Sequence, residues 1–260
     1  MPTVQNGDAS IYYEVHGSGF PILTFAPGGL LSAISIWERP AAPVNPVKAF
    51  GGEFQVIVMD QRNAPGQSRA PITADTGWQS FTSDQLTVLA ALGIERCHLM
   101  GQCIGGPFIF SMLKTAPERV VSAVVAQPIG RVGDMGPEWS DAFTGWTKTL
   151  EDHPEATEPV LDAMFRGMYG PGFAYSVDRA FMKSCQTPCL VLAGNDAAHP
   201  FAVAEEIASL LPDAEFIPEW KTGDDLVKAT ERMRAFLREH TPKGPPHPTF
   251  SIFDGDGAQP

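Results

Sequence analysis

His98-Leu99-Met100-Gly101-Gln102-Cys103-Ile104-Gly105-Gly106 is the stretch that decides the fold. An apolar run from Val88 to Met100, broken at Gly93, leads into Gly-x-Cys-x-Gly-Gly, and a helix-like run, Pro107 to Lys114, follows. Strand, tight turn and helix in that order make the pattern of a nucleophile elbow. Gly101 and Gly105 flank a turn so sharp that a Cβ there would strike the facing backbone. The apex residue, Cys103, must take a strained φ/ψ. A thiol at the start of a helix meets unpaired N–H groups and the positive end of the dipole, which favour the thiolate. A buried cysteine in an ordinary Gly-rich turn is the competing reading.

Upstream of the elbow, Ala9 to Val15 alternates and is rich in β-formers, which predicts an edge strand. Phe20 to Phe25 predicts a second strand, running into Ala26-Pro27-Gly28-Gly29, where two glycines let the backbone approach a ligand oxygen. Leu31 to Gly51 is proline-rich and reads as loop or irregular helix. Phe54 to Met59 is a buried parallel strand ending in Asp60-Gln61-Arg62. Phe81 to Leu92 has helical spacing, with Ser80 or Thr82 as its cap.

Downstream, Val120 to Ala126 reads as strand. Residues 128–187 change texture: Trp139, Phe143, Trp146, Leu150, Val160, Leu161, Met164, Phe165 and Met168 recur at helical intervals, which predicts an inserted helical cap. The sheet resumes at Pro188–Ala193, followed by Gly194-Asn195-Asp196, a helix over Phe201–Leu211, a short strand over Ala214–Pro218 and a long amphipathic helix over Asp224–His240. Residues 241–260 form a Pro- and Gly-rich tail. The expected organisation is therefore a core of residues 1–127 and 188–240, a cap of 128–187 and that tail. Strands alternating with helices predict an α/β fold with a mostly parallel sheet covered on both faces. In such sheets ligands gather at the carboxyl ends of the strands, which here carry Gly28-Gly29, Asp60, Cys103 and Asp196.

The whole chain bounds the chemistry. Its 260 residues suffice for a two-sided core, and 43% hydrophobic with 18% charged residues describes a globular protein. A net charge of −12 argues against nucleic acid or an anionic membrane as partner. No signal peptide and no apolar run of membrane-spanning length is evident, so a cytoplasmic protein with reduced thiols is expected. The four cysteines show no metal-like pairing with histidines, and neither metal nor cofactor is expected. The oligomeric state stays open, a homodimer included.

These pieces resemble the α/β-hydrolase superfamily over roughly residues 9 to 240. The matching motifs are the Pro-Gly-Gly loop, Asp60-x-Arg62-x-x-x-Gly66-x-Ser68, the elbow Gly101-Gln102-Cys103-Ile104-Gly105-Gly106, and Gly194-Asn195-Asp196. The resemblance implies Cys103 as nucleophile, an oxyanion hole from the backbone N–H groups of Gly29 and Ile104, and Asp196 as the acid that orients a base. Asp60 and Arg62 read as scaffold. The departure is the base. The loop where the family carries its histidine is Pro218-Glu219-Trp220-Lys221-Thr222-Gly223. Of the six histidines, His98 reads as structural, and His199, in Asp196-Ala197-Ala198-His199-Pro200, is the one near the site. His153, Lys221 and Glu219 are the other candidates. A thiolate needs less help than a serine, so a cysteine and a missing base are compatible.

The expected activity is therefore hydrolysis of an ester, lactone or thioester of a small apolar compound through a thioester on Cys103. Gly28, Gln102, Trp139 and Trp146 are the candidate substrate contacts. A non-hydrolytic relative is the alternative: a lyase using Cys103 and His199 as acid–base groups, or a small-ligand binder. Acyl transfer is a minor variant, since the elbow is also similar to that of polyhydroxyalkanoate synthases.

Overall fold

The computed structural model describes residues 2–131, 140–170 and 172–244. Its centre is an eight-stranded sheet: β1 (Thr3–Asn6), β2 (Ala9–His16), β3 (Pro21–Phe25), β4 (Gln55–Met59), β5 (Cys97–Gln102), β6 (Val120–Ala126), β7 (Cys189–Leu192) and β8 (Ala214–Ile217). The spatial order is β1-β2-β4-β3-β5-β6-β7-β8, antiparallel at β1–β2 and β2–β4 and parallel from there on. The chain alternates strand and helix because each crossover must return over a sheet face to reach a parallel neighbour.

The helices are α1 (Pro46–Phe50), α2 (Trp78–Ala91), α3 (Gly105–Thr115), α4 (Asp141–Thr147), α5 (Glu158–Tyr169), α6 (Arg179–Ser184), α7 (Phe201–Leu210) and α8 (Gly223–His240). Both faces of the sheet are buried, which explains why its strands read as continuous apolar runs. Leu23, Ile57, Leu99, Val125 and Val191 pack on one face with Phe81, Phe108 and Ile207. Ile22, Val56, Met100, Val124 and Leu190 pack on the other with Phe50, Trp220 and Phe236.

Two expectations are corrected. The strand over Ala9–His16 is not the edge, because Thr3–Asn6 pairs outside it through a two-residue turn whose Gly7 has φ +58°. That edge strand is Thr-Val-Gln-Asn, too polar and short to announce itself. The helix read from Phe81 begins three residues earlier, at Trp78. Ser80 does serve its start, accepting from the Gly77 N–H at 3.3 Å, whereas Thr82 lies inside the helix and bonds Ser111 at 2.7 Å. Between β6 and β7 the described residues form α4, α5 and α6, with α4 against the 3-10 turn of Gly29–Leu31. Trp78 Nε1 donates to the Met168 carbonyl at 2.7 Å, tying the end of α5 to α2.

Candidate active site

The elbow is built as its glycines demand. Cys103 has φ +60°, a left-handed conformation that a β-carbon-bearing residue adopts only under constraint. The constraint is visible. A Cβ on Gly101 would lie 2.6 Å from the Gly105 carbonyl oxygen, and one on Gly105 would lie 2.8 Å from that of Phe25. The Cys103 N–H donates to the Ala126 carbonyl at 3.0 Å, and its own carbonyl accepts from Gly106 at 3.0 Å and Ile129 at 3.3 Å. The side chain is thereby aimed off the end of β5, partly exposed, while the other three cysteines are buried and free.

His199 arrives from the loop after β7. Asp196 shapes that loop: its Oδ1 accepts the N–H groups of Ala198 at 3.0 Å and His199 at 2.9 Å. The same carboxylate takes His199 Nδ1, at 2.8 Å to Oδ1 and 3.0 Å to Oδ2. The backbone fold is close enough that a Cβ on Gly194 would sit 2.0 Å from the His199 carbonyl oxygen. So Asp196 is both the turn former and the partner of the imidazole. The other ring nitrogen, Nε2, is buried without a well-formed hydrogen bond. The group that it faces is the Cys103 thiol.

The electrostatics of the three groups interlock. Burial alone would raise the Cys103 pKa. The His199 hydrogen bond and charge, with the backbone N–H groups of Gly28 and Ile104, outweigh that and bring the thiol below its ordinary range. Burial likewise works against the His199 charge, but Cys103 and Asp196 together raise its pKa above the ordinary imidazole value. Asp196 is held low despite its own burial cost by the charge and hydrogen bonds of His199 and by Lys221. A thiolate beside an imidazolium, with a carboxylate behind it, is the state toward which these groups push one another.

The second backbone donor differs from expectation. Gly28 has φ +109°, and its N–H, not that of Gly29, reaches Cys103 alongside the Ile104 N–H. Gly29 begins the 3-10 turn and faces Ala142 of α4 instead. Of the three candidate substrate contacts among the described residues, only Gly28 comes to the thiol. Gln102 is buried with its amide donating to the Val44 carbonyl at 2.9 Å. Trp146 is buried, donates to the Asn63 carbonyl at 2.9 Å and packs on Phe143, so it belongs to the packing under the cap. Trp139 lies outside the described residues.

The remaining candidates for the base are engaged elsewhere. His98 is buried between Ser122 and Thr241, at 2.8 and 3.0 Å, and burial pushes its pKa down to about 3. His153 pairs with Glu155 at 2.8 Å. In the loop after β8, Glu219 is exposed and Trp220 is buried, donating to the Ala193 carbonyl at 2.7 Å. Lys221 reaches Asn195 at 2.6 Å and Asp196 at 3.5 Å, which makes it a brace for the acid's loop. Asp60 and Arg62 are scaffold: the carboxylate takes the N–H groups of Ile34 and Gln67, and the guanidinium grips Asp84 at 2.7 and 2.8 Å. Among the described residues no cluster of three or more His, Cys, Asp or Glu side chains could hold a metal, and no helix is long and apolar enough to cross a membrane.

Residues 21–170, more than half of the chain, match the sequence profile of the α/β hydrolase fold. The chain belongs to the α/β-hydrolase fold family. Among curated members it is 36% identical over 128 residues to RutD of Azorhizobium caulinodans, a proposed carbamate hydrolase by its name; that match covers 48% of this chain and 43% of the relative. RutD of Variovorax paradoxus is 28% identical over 87% of this chain and 94% of its own length. Carboxylesterase YbfK of Bacillus subtilis is 27% identical over 74% of this chain and 69% of its own length. Among solved structures, the enol-lactonase of Burkholderia xenovorans superposes with a TM-score of 0.65 at 19% identity, covering 91% of this chain and all of that one. That likeness concerns the fold, and the members of this fold family that the chain resembles include several named as hydrolases.

Proposed function

We propose that this family member is a hydrolase in which Cys103 attacks the carbonyl carbon of an ester, lactone or thioester of a small compound and carries the acyl group as a thioester. One observation carries the reading: a buried, otherwise unbonded His199 Nε2 facing the thiol, with Asp196 on the opposite ring nitrogen. Relatives named for carbamate and carboxylic ester hydrolysis support a carbonyl substrate.

The chemistry runs in two halves. His199 takes the thiol proton as the sulfur–carbon bond forms, and Asp196 stabilises the resulting imidazolium. The carbonyl oxygen becomes an oxyanion between the N–H groups of Gly28 and Ile104. Each such donor contributes about 3 kcal/mol to lowering the barrier. The tetrahedral species collapses, and the leaving oxygen or sulfur departs with the proton from His199. Water then attacks the thioester, His199 takes its proton, and the second collapse releases the acid and returns that proton to sulfur.

The test is intact-mass spectrometry after mixing with a short-chain p-nitrophenyl ester, with Cys103→Ala in parallel. An acyl adduct on the wild type alone, with repeated release of nitrophenol, is the expected result. Acylation should rise with pH on a limb below 9.0, the ordinary thiol value, because the Cys103 pKa is lowered, and general-acid help should fade on a limb above 6.5, because that of His199 is raised. Equal nitrophenol release from both proteins refutes the covalent reading and leaves the lyase and ligand-binding alternatives.

A further inference from the structure

Two phenols lie near the elbow. Tyr169 closes α5, and Tyr175 lies in the turn after it. Their position follows from the backbone. The Cys103 carbonyl accepts from Ile129, two residues on the Arg131 N–H donates to the Phe173 carbonyl at 2.9 Å, and Ser176 Oγ donates to the Pro107 carbonyl of α3 at 2.7 Å. Residues 172–176 are therefore laced to the elbow and to the first turn of its helix. The phenols are close enough to Cys103 that a negative charge on sulfur raises the pKa of each, adding to the larger effect of burial.

The rings are fixed. Tyr169 stacks on Phe165 at 4.9 Å and meets Tyr175 edge-on at 5.1 Å, with Trp78 and Phe143 at 6.1 and 6.3 Å. Tyr175 is held at φ +56°, a conformation costly for a bulky residue, by a bridge to Gly172, where a Cβ would lie 2.4 Å from the Tyr175 carbonyl oxygen. Yet neither hydroxyl has a hydrogen-bond partner among the described residues, although both side chains are only half-exposed. The neighbouring donors behave differently: Trp78 and Trp146 each end on a carbonyl. Half-buried phenols ordinarily find partners. Tyr175, held in a strained conformation, and Tyr169, fixed by its ring contacts, stand near the nucleophile with hydroxyls free to donate to a ligand. Arg131, bonded to the Gly170 carbonyl at 2.6 Å, adds positive charge beside Tyr175.

We propose that Tyr169 and Tyr175 form a second polar anchor of the site, whose hydroxyls donate to an oxygen acceptor, a carbonyl or a carboxylate, carried by the acyl compound away from the bond that is cleaved. The inference rests on the reading of this site as one for acyl compounds, and it narrows the substrate from a plain apolar acyl chain to one bearing a second oxygen function.

The anchor is separable from turnover by measuring binding to the Cys103→Ala protein, which cannot be acylated. The probes are p-nitroanilides of pentanoic, levulinic and succinic acids, titrated calorimetrically. The first lacks the second oxygen function, the second carries a ketone and the third a carboxylate. At least one oxygen-bearing probe should bind about fivefold or more tighter than the pentanoyl probe, the gain expected of one or two new hydrogen bonds. Tyr169→Phe and Tyr175→Phe in that background should each shrink the preference, and the double variant should abolish it. Melting curves report whether the Phe rings keep the packing. A ketone-only or carboxylate-only preference identifies the acceptor. Equal binding of all three probes, or a preference that survives the double variant, overturns the anchor. A wild type that never forms an acyl adduct, with the preference intact, overturns the thioester chemistry alone.

Discussion

His199→Ala isolates the contact on which the chemistry depends. The substitution keeps the Cβ and the backbone N–H that Asp196 accepts at 2.9 Å, so the turn from Gly194 to Pro200 retains its shape. What Cys103 loses is the imidazole's hydrogen bond and charge, leaving the N–H groups of Gly28 and Ile104 to oppose burial. A charge-assisted hydrogen bond contributes about 1.5–3 kcal/mol. At about 1.4 kcal/mol per decade, the thiolate population near neutrality falls roughly ten- to hundredfold. Alkylation by iodoacetamide, followed across pH by intact mass, reads this directly, and the ascending limb should move to higher pH by the corresponding amount. Ester turnover should fall further, about 10²–10⁴-fold, because the proton carrier is also gone. An alkylation profile identical to that of the wild type would refute the argument, since it would mean that the imidazole does not act on the sulfur.

Two other outcomes follow from the packing. Gly194→Ala puts a Cβ against the His199 carbonyl oxygen at a distance no contact tolerates, so the loop must shift; a loss of about 1–3 kcal/mol in denaturant unfolding together with slowed Cys103 alkylation is expected, and a wild-type profile would count against the loop geometry. His98 binds no proton in the native protein until pH falls to about 3, whereas the unfolded chain binds one below 6.5. Stability should therefore decrease as pH falls through that window, by up to about 1.4 kcal/mol per pH unit, and His98→Gln should flatten the slope measured by urea unfolding at several pH values.

Much of the fold could be read along the chain because its signals are local. The elbow declares itself through Gly101, whose crowding neighbour Gly105 is four residues away, and β6 has the bounds that its apolar run predicts. The Asp196–His199 pair was legible for the same reason, being three residues apart. What escaped depends on distant segments. The choice of Gly28 over Gly29 follows from how the loop after β3 lies against the elbow after β5, a contact between segments some 75 residues apart. Gln102 and Trp146 carry the right residue types next to the right motifs, but their orientation is set by Val44 and Asn63, 58 and 83 residues away. Tyr175 gave no signal at all, since nothing in its sequence neighbourhood predicts a positive φ.

Carrying acid and imidazole in one short turn alters how the site responds to motion. The sheet ends at β8, and an edge strand opens more readily than the interior ones, as amide hydrogen exchange would report. Had the imidazole followed β8, each such opening would carry it out of line with a carboxylate anchored on β7. Here the two ride on the same turn, so fraying of the sheet margin reaches them only through Lys221, which braces Asn195 and Asp196, and through Trp220, which donates to the Ala193 carbonyl. The carboxylate and the imidazole therefore travel together, and a shift of the sheet margin changes their distance to Cys103 before it changes their distance to each other.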